Sequence, residues 1–527
     1  MSNAFSSLLF AQAGANSAIV AFAIYMCGVM LLAWASNRLL QSKSFLSEYF
    51  LGSRSLGMWA FALTFAATSS SGGSFIGFPA LVYTHGWIVA LWIGSYMIVP
   101  IVSMGLLGKR INQIARKTGA ITIPDVLRDR FESPTFGLIA TLLIVFFMSF
   151  NLIAQFKGGS VILNTLLDDV PLFATAKEAA TPVLAALPLF SSAADNPGYL
   201  ICLIVFAVTV VIYTSYGGFR AVVWTDVMQG FVMVGGVVIM LPLALWSIGG
   251  LGQATEKMGQ LTPPNFVDLR IEAASAPSET LTIPINSWFV IGEGDSQRVF
   301  RTSKKSLLPA GETVATLAVE RADADPTLIS AVELTSPASK EQVTPTDFGI
   351  SLTPTVESTK SYQRGAGRQG VYLVGPGPDA TSEDGFLPIG LAISFFFMWT
   401  FSGAGQPSNM VRLMAFQNSA TLRRAIFTVS IYYTLIYFPL VVIFCCARVL
   451  LPGWESEPDR IMPEMAKYVT TAANVPWLAG LLIAAPFAAV MSTMDSFLLM
   501  ISSAVVRDIY QRNINPEASP ATIKRFT

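Results

Sequence analysis

Long apolar runs decide what this chain can become. Hydropathy gives about nine of them, each of some twenty residues or more, near 17–36, 55–83, 86–107, 134–165, 198–216, 222–247, 386–415, 422–451 and 474–506. Each is long enough to cross a hydrocarbon layer of about 30 Å at about 1.5 Å per residue. With 53% hydrophobic and only 13% charged side chains among 527 residues, the chain is too apolar for an ordinary soluble enzyme. The reading is an all-α polytopic membrane protein. The opening MSNAFSSLLFAQAGANS lacks the basic stretch of a cleaved signal, so the first run is read as a membrane helix that stays.

Charge sets the orientation. The connections after the first, third, fifth, seventh and ninth runs hold most of the Lys and Arg outside the long polar segment, among them Lys109, Arg110, Arg116, Lys117, Arg128, Arg130, Arg423 and Arg424. That bias predicts a plasma-membrane protein with its N-terminus outside and its C-terminus in the cytoplasm. The net charge is zero and no basic stripe occurs, so no nucleic-acid partner is expected; the oligomeric state stays open. Cys27, Cys202, Cys445 and Cys446 show no C-x-x-C spacing, and His85 is the sole histidine. Neither a disulfide framework, a zinc site nor a Ser-His-Asp triad is expected.

Residues 248–385 break the pattern. They are polar, with runs such as ETLTIPI, ETVATLAV and GVYLVG between turn signals PAG and GPGPD, and are read as a β-rich extracytoplasmic insertion, with a flexible linker as the alternative. The organisation expected is 1–247, an N-terminal helix and five more; 248–385, the insertion; 386–506, three helices; and 507–527, a cytoplasmic tail.

Polar residues interrupt the apolar runs at three places: TSSSGGS at 68–74, SGAGQPSN at 402–409, and AAVMSTMDS at 488–496. Glycine weakens a helix by roughly 1 kcal/mol and proline removes a backbone donor. Irregular backbone at membrane depth is tolerated only inside protein or beside a watery cavity. Two such interrupted helices, separated by four other runs, are what inverted repeats place around a midplane site, and the serine run is read as a cation and substrate site. Small-residue helix packing is the plainer explanation of each interruption alone. In the third stretch Ala489, Ser492, Thr493 and Ser496 recur at i, i+3, i+4 and i+7, one helix face, able to turn neutral oxygens on a hard monovalent cation. Asp226 and Asp495 lie in or at the edge of apolar runs. Carboxylates there cost at least about 2.5–3.5 kcal/mol to insert, so each should meet a cation or a proton. For Asp226 the alternative is an interfacial acid beside Arg220.

YTSYGGFRAVVWTDVMQGFVMVGG (213–236), ITIPDVLRDRF (121–131) and AAPFAAVMSTMDSFLLMISSAVVRDIYQRNINPEAS (484–519) resemble the sodium/solute symporter family. Within it, TSSSGGSFIGFP and GAGQPSNMVRLMAFQNS are most similar to the sodium/pantothenate symporter branch. The resemblance implies an inverted-repeat, leucine-transporter-like fold with one extra N-terminal helix. It further implies a sodium site from the carbonyls of Ala67, Ser70 and Ala489 with the hydroxyls of Ser492 and Thr493, and a second sodium site on Asp226, Asp495, Ser496 and Ser492. Solute contacts would come from Ser69, Ser71, Ser74, Trp399, Ser402 and Gln406.

The function so implied is sodium-coupled symport of a small organic solute, such as a pantothenate-like carboxylate, an amino acid or a sugar, with Na+ as the coupling ion and no enzymatic activity. Against the family pattern, 248–385 is longer than the usual loop, and the sequence ends at ATIKRFT with three helices of the second repeat, which reads as an apparent truncation. Those departures keep a second function in view, a solute-binding membrane sensor that does not complete transport. An intramembrane aspartyl enzyme built on Asp226 and Asp495 ranks third.

Overall fold

The computed structural model describes residues 2–38, 50–51, 54, 56–168, 170–187, 196–292, 296–318, 325–341, 343–361, 368–379, 382–519 and 522–523. Most of them are helical. Among the described residues, seven helical stretches are long and apolar enough to cross a membrane: Asn16–Ser36, Gly73–Thr118, Pro134–Leu167, Pro197–Ser215, Gly218–Ile248, Ser419–Leu450 and Leu478–Ile514. An eighth is the bent pair Ile389–Gly405 and Pro407–Ala415. The run expected as one span over 55–83 is instead the short helix Met58–Ser69 followed by the start of the stretch that begins at Gly73. That stretch in turn breaks at Gly86, whose φ of 76° no helix contains.

Local chemistry places the ends. Ser133, Asn196 and Asn418 accept a hydrogen bond from the backbone N–H three residues on, each cap contributing about 1 kcal/mol. Pro134 and Pro197 follow the first two, where a missing N–H costs nothing. The tight turn between Pro197–Ser215 and Gly218–Ile248 uses Gly218 at φ 61°.

Burial sorts the helices. In its most apolar window Leu478–Ile514 is 78% buried, whereas Pro134–Leu167 is 17% buried, so the first runs through the bundle and the second turns Phe146, Phe147 and Phe150 outward. The helix carrying AAVMSTMDS is therefore the central one. Cys202, Cys445 and Cys446 are core residues.

The segment after Gly259 is β-rich. Its main sheet is antiparallel, with Leu352–Ser361 and Ile329–Leu334 flanking Asn265–Ala273, then Arg298–Thr302 and Trp288–Ile291. Val267, Leu269 and Ile271 alternate into its core, with Leu269 opposite Ile329. ETLTIPI and ETVATLAV hold short strands at Leu281–Ile283 and Thr316–Leu317, but GVYLVG forms a tight helical turn at Val371–Leu373. The turn follows Gly370, whose φ of 79° ends any extended run before Val371. The sheet docks on the helical body through Arg301, whose guanidinium lies 3.5 Å from the Trp454 ring centre and 5.5 Å from that of Trp288. Burial pushes this guanidinium down to about 10, so it remains charged at neutral pH.

Candidate functional site

The first interruption unwinds a helix. Met58–Ser69 stops at Ser70, which is extended (φ −89°, ψ 96°) with its N–H turned back to the carbonyls of Ala66 and Ala67 at 3.1 Å. Helix resumes around Gly72 and enters a wide π turn, Gly73–Gly77. The Gly72 N–H donates to Gln155 Oε1 at 2.9 Å, and a Cβ at Gly72 would stand at that same 2.9 Å from Gln155 Oε1. A side chain at Gly72 would therefore have to displace the Gln155 carboxamide and crowd Val490 at 3.2 Å. In the second interruption Gln406 is extended (φ −65°, ψ 120°) and Pro407 starts a new helix bent by 49°. The third stretch stays helical within Leu478–Ser503.

The central helix meets the first break. Ser492 Oγ donates to the carbonyls of Ala67 at 3.0 Å and Ala489 at 3.1 Å, and Thr493 Oγ1 donates to the Thr68 carbonyl at 3.3 Å. Ser492, Thr493 and Ser70 are fully buried, and Ser70 Oγ has no partner among the described residues. The five residues expected to share an ion therefore lie at one crossing or beside it. Thr68 was not foreseen there; its position inside the serine run is the only sequence sign it gives.

Next to this crossing lies a charged knot. Arg412 is 2% exposed and reaches Asp226 Oδ2 at 2.7 Å, Ser496 Oγ at 2.7 Å, Thr64 Oγ1 at 2.8 Å and the Ser408 carbonyl at 3.1 Å. Thr64 donates to the same Asp226 oxygen at 2.5 Å, and Thr68 does so at 3.3 Å. Asp226 is thus no interfacial acid; it is wholly buried, and its ion pair is with Arg412. Asp495, equally buried, accepts hydrogen bonds on Oδ1 from Tyr213 and, at 2.8 Å, from Thr214. Arg412, Thr64, Tyr213 and Thr214 were missed by the sequence reading.

A cavity of about 320 Å³ opens beside both breaks, its wall including Ser69, Ser71, Trp399, Ser402, Gln406 and Asn151. Five of the six residues expected to face a solute are therefore together. Ser74 is not with them. Its hydroxyl bonds Tyr96 at 2.8 Å and Tyr437 at 3.1 Å, inside an aromatic stack in which Tyr96 lies 5.2 Å from Trp399 and 3.7 Å from Tyr437. None of the residues on this wall is ionisable.

Two broken membrane helices crossed by a hydroxyl-bearing central helix define a class of transporters that use unwound backbone for binding. The family model of the sodium:solute symporter family matches residues 49–170, 171–297 and 363–526. The chain belongs to that family: it is a multi-pass, sodium-coupled symporter, and Na+ is its coupling ion. Similar curated proteins include the sodium/pantothenate symporters of Haemophilus influenzae, 24% identical over 95% of this chain and 73% of that protein, and of Escherichia coli, 25% identical over 95% and 72%. The sodium/proline symporter of Escherichia coli is 27% identical over 47% of this chain and 44% of its own length. The solved outward-open structure of a Na+-coupled sialic acid symporter shares the fold, with a TM-score of 0.56, 17% identity and coverage of 97% of this chain and 77% of that one.

Proposed function

We propose that the chain couples inward movement of Na+ to uptake of a small organic solute by alternating access. The ion would be held by the carbonyls of Ala67, Ser70 and Ala489 with the hydroxyls of Ser492 and Thr493. The observation that carries this is Ser492 Oγ, 3.0 Å from a carbonyl at the end of a broken membrane helix. Such a set of neutral oxygens suits a hard monovalent ion and explains why hydroxyls sit far from water. Asp226, Asp495 and Ser496 are the polar centre for a second cation. The solute would occupy the 320 Å³ cavity against Ser69, Ser71, Trp399, Ser402 and Gln406, with Ser74 supporting the wall through the tyrosines. Its class follows from the relatives, which are symporters of pantothenate and proline.

In this reading the bundle is a leucine-transporter-like pair of inverted repeats. Met58–Ile248 forms one five-helix repeat, Ile389–Ile514 supplies three helices of the other, and Ser2–Arg38 is the extra N-terminal helix. The two broken helices, each first in its repeat, support it. The same reading keeps the divisions 1–247, 248–385, 386–506 and 507–527, with the insertion outside, the N-terminus outside and the C-terminus in the cytoplasm of a plasma-membrane protein. An ion joining Ala67 to Ser492 ties the broken helix to the central one, so solute binds better with Na+ present. Each Na+ entering gains about 2.3 kcal/mol per 100 mV.

The test is uptake into proteoliposomes under a sodium gradient, with pantothenate, proline and glucose as first solutes. Ser492→Ala and Thr493→Ala should each raise the half-saturating Na+ concentration by about tenfold, the equivalent of about 1.4 kcal/mol. Unchanged sodium dependence in both would remove the assignment.

A further inference from the structure

The family match leaves out residues 298–362, yet these residues are tied to the part of the bundle that carries the first break. Arg301 stands on the strand Arg298–Thr302, directly opposite Trp288 on its antiparallel neighbour. Its guanidinium stacks on Trp454, which also has the Arg460 guanidinium 5.2 Å from its ring centre. The strand pair sits hard against the turn before Trp454: a Cβ at Gly453, whose φ is 88°, would stand 3.0 Å from Arg301 Cδ and 3.1 Å from Trp288 Cη2. Stacks of a cation on an aromatic ring are strongest where water is kept out, and Arg301 and Trp454 are both buried.

Trp454 passes the contact on. Its backbone N–H donates to the Tyr83 hydroxyl at 3.1 Å, and that hydroxyl donates to the Leu451 carbonyl at 2.7 Å. Tyr83 belongs to Phe78–His85, the outer half of the first broken helix, which continues without interruption from the π turn Gly73–Gly77. A second stack reinforces the first. The Arg448 guanidinium lies 4.9 Å from the Tyr83 ring centre and 4.6 Å from that of Tyr372, and it pairs with Glu455. Tyr372 comes from the same insertion, and its main chain fills the place that a Cβ at Gly86 would need. The insertion thus holds the outer end of the broken helix from two sides.

Burial separates the joint that holds from the joint that yields. The side chains of Arg448 and Glu455 are 4% and 0% exposed, and breaking such a pair strands a charge in a dry place. At the outer end of Pro134–Leu167 the contacts are Lys157 with Asp459, 60% and 37% exposed, and Arg460 with Asp168, 15% and 27% exposed. Pairs open to water contribute little.

We propose that the insertion is a working part of the transporter. Through Trp454 and Arg448, Arg301 and Tyr372 fix the outer half of the first broken helix to the end of Ser419–Leu450, so these elements move as one body and the exposed ion pairs part when the outside opens. Arg301 and Tyr372 are positioning residues, since neither lines the solute cavity. Tyr83 lies nine residues beyond Ser74 on one helical run, so a tilt of the outer end shifts the break itself. The inference rests on the alternating-access reading of the chain.

The experiment is amide hydrogen exchange and equilibrium binding of radioactive Na+, both on the purified full chain in nanodiscs. Arg301→Leu should raise exchange across Phe78–His85 and raise the half-saturating Na+ concentration at least about fivefold, while Arg301→Lys, which keeps the charge, should recover most of both. A Cβ at Gly453 lies 3.6 Å from Arg301 Cβ, a separation that a disulfide spans. Arg301→Cys combined with Gly453→Cys should therefore behave like Arg301→Leu when reduced and return to within about twofold of wild type when bridged. Should Gly453→Cys fail to fold, Arg301→Leu and Arg301→Lys decide alone. Wild-type exchange over Phe78–His85 in Arg301→Leu overturns the proposal. So does raised exchange with unchanged Na+ binding, which makes Arg301 a structural contact only, and so does a bridged protein that binds Na+ no better than the reduced one, which means that the insertion has to lift away. A wild type that binds no Na+ fails the sodium-coupled reading instead, and the exchange pattern then decides whether the insertion holds the broken helix.

Discussion

Replacing Arg412 by methionine removes a positive charge and four hydrogen bonds from a place 2% exposed. Two unit charges about 4 Å apart attract by about 4 kcal/mol at the effective dielectric of about 20 that suits protein sites. Breaking a buried pair from one side costs about 3–5 kcal/mol, most of it the penalty of the charge left behind. Asp226 would then keep only the hydroxyls of Thr64 and Thr68. Arg412→Met and Asp226→Asn should therefore each destabilise the protein by about 3–5 kcal/mol. The double variant leaves no unpaired charge at this pair, so it should cost much less than the sum, with a coupling of at least about 2 kcal/mol.

The assay is thermal loss of monodisperse protein in detergent for wild type, both single variants and the double variant. The expected order is wild type highest, the double variant next and the two single variants lowest. If the double variant falls by the sum of the singles, Arg412 and Asp226 act separately and the knot is not a unit.

Three other outcomes follow from close contacts. Gly72→Ala places a methyl 2.9 Å from Gln155 Oε1 and 3.2 Å from Val490; at an overpacking cost of about 1–3 kcal/mol it should cut sodium-driven uptake at least about fivefold, measured with expression held equal. Gly480→Ala would put its Cβ 1.9 Å from the Ala18 carbonyl, so it should push the N-terminal helix off the bundle and lower the melting temperature, whereas Gly252→Ala, with open space around it, should not. Arg301→Ala removes the cation stacked on Trp454, worth about 2 kcal/mol when desolvated, and should raise hydrogen exchange at the contact of the sheet with the helical body while leaving the strands protected.

What could be read in the sequence was what depends on near neighbours. The breaks at 70–71 and 406 were legible because Gly, Ser and Pro disrupt helices wherever they occur, and the shared face of Ala489, Ser492 and Thr493 because 3.6-residue periodicity is local. Arg412 was not legible. At the end of an apolar run it looks like any cytoplasmic-side arginine, and only the bend at Gln406 turns its helix so that the guanidinium enters the bundle. In the insertion, alternation over Asn265–Ala273 is a local property, but its pairing with Ile329–Leu334 and Leu352–Ser361 spans many residues and leaves no trace in composition.

Thr68 joins the two halves of the site. Its carbonyl accepts from Thr493, one residue from the carbonyl that meets Ser492, while its hydroxyl lies 3.1 Å from Ser496 Oγ and 3.3 Å from Asp226 Oδ2. An ion that draws the Ala67 and Ser492 oxygens inward must move the Thr68 backbone with them, because no flexible residue lies between. That displacement reaches Asp226, and through Arg412 it reaches the second broken helix. Coupling between the two breaks would then need only contacts already made, running through a charge pair that has few alternative arrangements in a dry core. Thr68→Val keeps the backbone but removes the hydroxyl, so it should preserve Na+ affinity while weakening the dependence of solute binding on Na+. Equal loss of both would mean that the breaks communicate by another route.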